Sequence, residues 1–415
     1  MKCVLIFLFA LVFQNIAAQQ RLPIIHANSK KVKIYDGLNY KPDFWVIFPE
    51  TKPDIYYLDL PRKKSHVKFI TDNDSISFDL NYGEIKDFIV LLNGKDSCYT
   101  RISANYPNLK IPKRTNKGND TIPFILKDHR IYFRGKVNDS EVLNIQFDLG
   151  ASAVNVNKKS VKKIKINFDK KGYLLNSDGT NETKLSSSNE IEISGLKWSN
   201  IEMYETKNMD SDEDLIIGNS FFLDQIYMID YEKSYLILYE NAPKIDKSFV
   251  KQNMILDSGV RPIFEVTFAL NEKIYKDWFL FDTGNTGNGI IGNSFLTKNN
   301  LYDEFSNIIS LGSKKIAYLP KIIIGEQIIE DGVITLEKQN KNGSNYKFGG
   351  LFGNKILKRF NVIIDNREGL IYMKPNFFFE QKGLGLYQIY LILFSSILGI
   401  GLIIFFIRII KLLKK

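Results

Sequence analysis

An internal repeat constrains this chain more than any other feature of its sequence. An apolar run in residues 143–152 leads into Asp148-Leu149-Gly150, and a similar run in residues 278–286 leads into Asp282-Thr283-Gly284. The two aspartates lie 134 positions apart. A fixed internal period is typical of a duplicated structural unit. We therefore expect two similar lobes, each with an aspartate at one point of its fold.

A second motif follows each aspartate at nearly the same spacing. Apolar runs end in Gly218 and Gly353, which lie 70 and 71 positions after their aspartates. The match continues without a gap to Asp230 and Asp365 and slightly beyond. A single Asp-Thr-Gly is an ordinary hairpin turn, but two motif pairs in the same order at matched spacing are far more specific.

Each motif has a direct local interpretation. An apolar run that stops at an aspartate and a glycine predicts a buried strand ending in a sharp turn. Glycine permits either a left-handed backbone or a close approach of neighbouring atoms. Such a turn would hold Asp148 and Asp282 at the ends of rigid strands, facing a cleft.

With both motif pairs in view, residues 121–376 resemble the aspartic proteases of the pepsin and retropepsin type. Each lobe of that family carries an Asp-Thr/Ser-Gly turn and a later hydrophobic-hydrophobic-Gly loop that passes behind it. The resemblance implies that Asp148 and Asp282 form the catalytic pair. The active-site loops that it implies contain Leu149, Gly150, Ser152, Thr283, Gly284, Thr286, Gly218 and Gly353.

The implied chemistry is hydrolysis of a peptide bond by an activated water. One ionised carboxylate takes a proton from the water, while the other, protonated, donates a hydrogen bond to the carbonyl oxygen. Two carboxylates about 3 Å apart cannot both ionise, as aspartic proteases themselves exemplify. We expect a polypeptide substrate, no cofactor and no metal. Because one chain contains both lobes, the active unit is expected to be a monomer.

The first motif departs from the family at Leu149, where a hydroxyl side chain normally links the two turns. Leu149 cannot make that bond, so Thr283 is expected to need another partner. The leading hypothesis is an aspartic endopeptidase. The alternative is a catalytically weak or inactive protease-like protein that serves binding or assembly in the cell envelope. A third possibility places the main activity in the segment before the repeat, as an adhesion or scaffold module.

Three further aspartates compete for a catalytic role. Asp257-Ser258-Gly259 has the motif's form, but it lies 96 positions before Gly353, a spacing that fits neither lobe. We interpret it as a turn between strands that open lobe two. Asp230 and Asp365 recur in the repeat, yet each falls in a hairpin, where short polar side chains usually bond the backbone.

The predicted fold class is mainly β. Two pseudo-symmetric, acid-protease-like β-barrel lobes are expected at 121–245 and 246–378, after a small antiparallel β domain at 20–115. Within this plan we predict a linker over 105–120, short helices at 158–164 and 220–225, and a flap within 172–188.

Both ends of the chain suggest export and anchoring. Residues 1–18 have the charge, apolar run and small residues of a signal peptide. Residues 383–407 carry no charge and are long enough to span a bilayer. The basic tail 408–415 is then cytoplasmic and the body lies in the periplasm or outside the cell. These ends supply five of the cations and no acid, which leaves +5 of the net +10. Such a mild charge indicates no nucleic-acid partner.

Overall fold

A computed structural model describes residues 22–36, 43–58, 65–81, 83–104, 111–115, 120–176, 179–312, 314–337 and 348–379. The fold is mainly β, as predicted. It divides into two compact units, Met1–Pro107 and Asn108–Lys415. The predicted signal peptide (1–18), membrane span (383–407) and basic tail (408–415) lie outside the described residues. Among those that are described, no helix is long and apolar enough to cross a bilayer.

The N-terminal unit consists of two four-stranded sheets around one apolar core. Its strands are β1 (Ile24–Ala27), β2 (Lys31–Asp36), β3 (Asp43–Val46), β4 (Asp54–Tyr57), β5 (Ser65–Ile70), β6 (Ser75–Leu80), β7 (Ile85–Leu92) and β8 (Asp96–Ser103). All eight lie within the segment 20–115 in which a small β domain was predicted. The aromatic rings of Phe69 and Phe88 meet in the core, with centroids 4.9 Å apart.

The prediction that this unit is antiparallel is only partly right. The sheet β3-β2-β5-β6 is antiparallel throughout. In the sheet β1-β7-β8-β4, however, β1 pairs parallel with β7 and β4 pairs parallel with β8. A parallel pair needs a long crossover connection. Here the intervening strands, most of which belong to the other sheet, supply it, and local sequence patterns do not reveal this connection.

Lobe one follows in the second unit. Its strands are β9 (Lys113–Arg114), β10 (Asp120–Pro123), β11 (Ile125–Lys127), β12 (Arg130–Val137), β13 (Leu143–Phe147), β14 (Val154–Asn157), β15 (Lys170–Asn176), β16 (Gly179–Ile193), β17 (Leu196–Thr206), β18 (Leu215–Ile217), β19 (Ile226–Asp230) and β20 (Tyr235–Tyr239). The two predicted short helices are 3₁₀ helices at Lys158–Lys163 and Asn219–Phe222. Part of the predicted linker is instead strand β9, which pairs with β17.

Lobe two repeats this plan. Its strands are β21 (Val250–Asp257), β22 (Arg261–Leu270), β23 (Lys273–Asp282), β24 (Gly289–Ile291), β25 (Asn307–Leu311), β26 (Lys314–Ile324), β27 (Gln327–Glu337), β28 (Gly350–Gly353), β29 (Phe360–Asp365) and β30 (Leu370–Pro375). Short α-helices at Asn293–Lys298 and Asn354–Leu357 follow β24 and β28.

Each lobe closes into a six-stranded ring. In lobe one the pairing runs β12-β13-β18-β14-β17-β16 and returns to β12. In lobe two it runs β22-β23-β28-β24-β27-β26 and returns to β22. The parallel and antiparallel steps occur in the same order. The repeat in the sequence is therefore a repeat of a closed barrel, which leaves no free edge within the ring.

A sheet between the barrels joins the two lobes. Hairpin β19–β20 of lobe one and hairpin β29–β30 of lobe two meet through an antiparallel pairing of β19 with β29. Ile226 pairs with Asp365 and Ile229 with Val362. Buried apolar residues of both lobes form one continuous core. This pairing fixes the positions of the two Asp turns relative to each other.

Candidate active site

Asp148 and Asp282 stand at equivalent points of the two barrels. Asp148 directly follows β13, and Asp282 is the last residue of β23. The residues before each aspartate are almost entirely buried because these strands run through the barrel cores. Each carboxyl group is thus carried by a rigid strand, and each aspartate keeps a partly exposed surface.

The two turns bring the carboxyl groups together. A Cβ atom placed on Gly150 would lie 2.7 Å from Asp282 Oδ1 and 3.1 Å from Asp148 Oδ1. The two oxygens therefore cannot lie further apart than the sum of these distances. A Cβ atom on Gly284 would overlap the Asp148 carboxyl group. The glycines of both turns are required by this close approach, because neither has a left-handed backbone.

Backbone N–H groups of the turns donate to the carboxylates. Gly150 N donates to Asp148 Oδ1 at 2.7 Å. Gly284 N and Asn285 N both donate to Asp282 Oδ1 at 3.0 Å. These bonds orient each carboxyl group at the lobe junction, and the N–H of Gly284 also bonds Asp148 across it.

The loops that end in Gly218 and Gly353 pass directly behind the turns. A side chain on Gly218 would overlap the carbonyl oxygen of Ala151, and one on Gly353 would overlap that of Gly287. In each lobe, the 70 or 71 residues between the aspartate and this glycine are therefore the length of chain that passes around the barrel and comes back to the base of the Asp turn.

The electrostatics of the pair are asymmetric. Burial raises the pKa of Asp148, while backbone N–H groups, the Asp282 carboxyl group and the positive charge of Arg130 lower it. Burial also raises the pKa of Asp282, and the neighbouring Asp148 charge raises it further, well above the ordinary range. The arrangement favours an ionised Asp148 beside a protonated Asp282 and so shares one proton between two carboxyl groups.

Thr283 links the two turns. Its hydroxyl accepts a hydrogen bond from Leu149 N at 2.9 Å and donates one to the carbonyl of Phe147 at 2.9 Å. The partner that Thr283 was expected to need is thus the backbone of lobe one. The side chain of Leu149 is fully buried in the apolar core. The hydrogen bonds between the Thr283 hydroxyl and the lobe-one turn are therefore present, whereas Leu149 cannot make the equivalent bonds to the lobe-two turn.

The first Asp turn lies in a segment that matches a known family. Residues 133–221, which span the first Asp turn and the glycine loop behind it, match the family model described as aspartyl protease. The resemblance to aspartic proteases is confirmed. No curated protein matches this chain. A solved structure described as the aspartic proteinase from Irpex lacteus is similar at 11% identity, covering 64% of this chain and 99% of that one, with a TM-score of 0.46.

Arg130 is a residue beside the carboxyl pair that sequence reasoning missed. It begins β12, and its Nε donates to the carbonyl of Gly284 in the opposite lobe at 3.1 Å. Its Nη1 donates to the buried Glu213 at 3.0 Å and also bonds Asp210. Tyr132 donates a second hydrogen bond to Glu213. This network connects the lobe-two turn to the start of β12 and to the loop between β17 and β18 in lobe one.

Arg130 has a structural counterpart in lobe two. Arg261 begins β22 just as Arg130 begins β12, so an arginine opens the equivalent strand in each lobe. Arg261, however, bonds Asp257 in its own hairpin, and among the described residues it makes no hydrogen bond to the lobe-one turn. The two arginines lie 131 positions apart, three short of the period between the aspartates, so the repeat does not pair them and only the packed structure identifies their partners.

The competing aspartates hold turns. Asp257 ends β21 and pairs with Arg261 across the β21–β22 turn. Asp230 accepts from Lys233 N, and Asp365 accepts from Arg367 N and Glu368 N, each within a hairpin turn of the sheet between the lobes. None of these contacts involves Asp148 or Asp282.

The remaining predicted site residues lie near the surface. Ser152 and Thr286 are exposed, beyond the glycine of each turn, and Thr286 borders a cavity. The segment predicted as a flap forms the hairpin β15–β16, whose tip at 177–178 lies outside the described residues. In the described part of the chain, no cluster of His, Cys, Asp and Glu is arranged to hold a metal ion.

Proposed function

We propose that this protein is an aspartic endopeptidase that uses Asp148, Asp282 and an activated water. The observation that carries the proposal is the approach of the two carboxyl groups around Gly150 and Gly284. Burial raises both pKa values, but Arg130 lowers that of Asp148 while the Asp148 charge raises that of Asp282, and this difference supports different roles for them. This mechanism needs two carboxyl groups close enough to share one proton, and a single buried aspartate would not supply them.

In the proposed reaction, ionised Asp148 removes a proton from a water held between the carboxyl groups. The water oxygen bonds the scissile carbonyl carbon, and protonated Asp282 donates a hydrogen bond to the oxygen that gains negative charge. The tetrahedral intermediate then collapses: the C–N bond breaks, and the proton held by Asp148 passes to the leaving nitrogen. The pair returns to its singly protonated form without a cofactor.

Replacement of either aspartate provides the test. Asp148→Asn and Asp282→Asn are nearly isosteric, so the turns should persist while the shared proton is lost. We expect each variant to reduce cleavage of a peptide library by about 1,000-fold or more. Asp257→Asn is the matched control, since Asp257 pairs only within its hairpin. Equal cleavage by wild type and Asp282→Asn would reject the proposal.

One observation favours the alternative of a protease-like binding or assembly protein. Leu149 removes the reciprocal bond between the turns, so the site has less stiffness than two hydroxyl residues would give. Under this alternative the chain captures polypeptides, and Asp282→Asn leaves both capture and peptide turnover unchanged. Simultaneous measurement of binding and cleavage separates the two functions.

We further propose that the protein is exported and anchored by residues 383–407, with 408–415 in the cytoplasm. The charge-free segment, the basic tail and the N-terminal signal support this topology. Protease treatment of intact cells, or of spheroplasts if an outer membrane is present, should remove the body and protect a tag on the tail. Loss of the tag with retention of the body would invert the topology.

A further inference from the structure

A cavity of about 670 Å³ lies beside the second Asp turn. Its rim contains Thr286, Gly287, Asn288 and Gly289, which directly continue the turn that carries Asp282. Ligand pockets typically enclose about 300–1,000 Å³, so this one has room for more than one residue of a bound peptide. A polypeptide that reaches the carboxyl pair would pass its opening.

The floor of the cavity is aliphatic. It is formed largely by β25, β26 and β27, of which β25 and β26 form the lobe-two counterpart of the β15–β16 hairpin. The floor residues are Ile308, Ile309, Ile316, Ile329, Val333 and Ile334. Ile309 remains 37% exposed. Covering partly exposed aliphatic side chains with an apolar group is favourable, because it removes apolar surface from water.

One wall of the cavity is cationic. Lys355 lies in the short helix after β28, and Arg359 follows that helix. His129 and Asp128 line the cavity from the β11–β12 turn. Neither Lys355 nor Arg359 takes part in any ion pair within the described ranges. Arg359 is thus partly buried and forms no ion pair in the described part of the chain, either with Asp128 on the same lining or with another carboxylate.

Electrostatics agree with an anion at this wall. Burial lowers the pKa of Arg359, and burial with the charges of Arg359 and Lys355 lowers the pKa of Lys358. Removing a cation from water without a counter-charge is unfavourable. A carboxylate would relieve this cost, and the planar guanidinium can bind one through two parallel hydrogen bonds.

We propose that the cavity is a specificity subsite that holds a carboxylate of the substrate against Arg359 and Lys355 while an adjacent aliphatic side chain covers the isoleucine floor. This inference rests on the proposed function for its substrate class. It predicts a peptide in which an acidic group and an aliphatic residue lie a few positions from the cleaved bond. The carboxylate is either an acidic side chain or the C-terminal carboxylate.

The test compares matched peptide libraries on the full-length protein in detergent. Each peptide carries Glu, Gln or Lys at one position within four residues of the cleaved bond, with either a free or an amidated C-terminus. At one position we expect kcat/KM for Glu to exceed that for Gln by about tenfold. An effect of Glu in amidated peptides assigns the contact to a side chain. An effect of the free C-terminus alone assigns it to the terminal carboxylate.

Variants then locate the preference. Arg359→Met should reduce the ratio of kcat/KM for Glu over Gln peptides by about tenfold. Arg359→Glu should give Lys peptides a higher kcat/KM than Glu peptides. Lys355→Met, at an exposed position, tests the same wall without disturbing the core. Lys273→Met is the matched control, because Lys273 and Asp282 occupy opposite ends of the ten-residue strand β23, about 30 Å apart. A ratio near one in wild type, or equal losses in the control, would overturn the subsite.

Binding separates this inference from the proposed function. The same peptides are measured against the Asp282→Asn protein. Preferential binding of Glu peptides that Arg359→Met removes, without cleavage by wild type, supports the subsite and rejects the protease. Cleavage by wild type without a charge preference supports the protease and rejects the subsite.

Discussion

The two lobes share one barrel, but they differ at the positions that surround the carboxyl pair. Their six-stranded rings follow the same order of pairings. Lobe one places Leu149 where lobe two places Thr283, and Arg130 reaches the opposite turn where Arg261 stays in its own hairpin. The shared barrel explains why two aspartates meet. Of the differences, the positive charge of Arg130 lowers the pKa of Asp148, whereas the charge of Asp148 raises that of Asp282.

The turn glycines allow the sharpest test of this comparison. A methyl group on Gly284 would overlap the Asp148 carboxyl group, whereas one on Gly150 would lie 2.7 Å from Asp282 Oδ1. Both Gly284→Ala and Gly150→Ala should displace a carboxylate and lower kcat/KM by on the order of 100-fold, with the larger loss for Gly284→Ala. Equal activity of wild type and Gly284→Ala, at an unchanged Tm, would contradict the geometry.

The two arginines offer a matched pair with a smaller effect. Arg130→Met leaves buried Glu213 without its cation, and Arg261→Met does the same to buried Asp257, so each should cost about 3 kcal/mol of stability. Only Arg130→Met should also reduce kcat, by about tenfold. Loss of its charge should raise the pKa of Asp148 and move the acid limb of the pH–rate profile to higher pH.

Two further measurements separate positioning from stability. Arg130→Met/Glu213→Gln should recover much of the lost stability, because the buried charge is removed, while the shifted pH profile remains. If Arg261→Met shifts that profile as far as Arg130→Met does, the two lobes do not differ in the way proposed.

The carboxyl pair should also make stability depend on pH. Both pKa values are raised by burial, so the folded chain binds more protons than the unfolded chain above the ordinary aspartate pKa of about 3.9. The free energy of unfolding should therefore fall as pH rises through the folded-state values. Asp282→Asn removes the larger of the two shifts and should flatten this fall. Chemical denaturation between acidic and neutral pH measures it, and a fall that persists unchanged in the variant would contradict the assignment.

The link between the turns should give the smallest effects. Thr283→Val deprives the Leu149 N–H and the Phe147 carbonyl of their partner and should cost about 1–3 kcal/mol. Leu149→Thr adds a reciprocal bond worth about 0.5–1.5 kcal/mol, but it removes buried apolar atoms worth about 0.8 kcal/mol per methylene. We expect a net loss of about 1 kcal/mol. A clear rise in Tm for Leu149→Thr would show that the missing bond outweighs the packing.

The sequence by itself determined the duplicated architecture. The period between Asp148 and Asp282, and the matched glycines at 218 and 353, indicated two equivalent β lobes, because turn glycines and buried strands are local features with fixed spacing. The same spacing indicated that Asp257 belongs to another turn. Local patterns also located the two 3₁₀ helices of lobe one.

Only the tertiary structure decided which groups act across the lobes. The bond from Arg130 to Gly284 spans 154 positions, and the hydroxyl of Thr283 meets the backbone of Leu149 across 134. Neither contact follows from local propensity, since a backbone carbonyl or N–H is present at every such position and carries no sequence signal. The cavity walled by Arg359 and Lys355 is equally invisible, because its floor, rim and wall come from strands that adjoin only after the barrel closes. The parallel pairs of the N-terminal unit depend on long crossovers for the same physical reason.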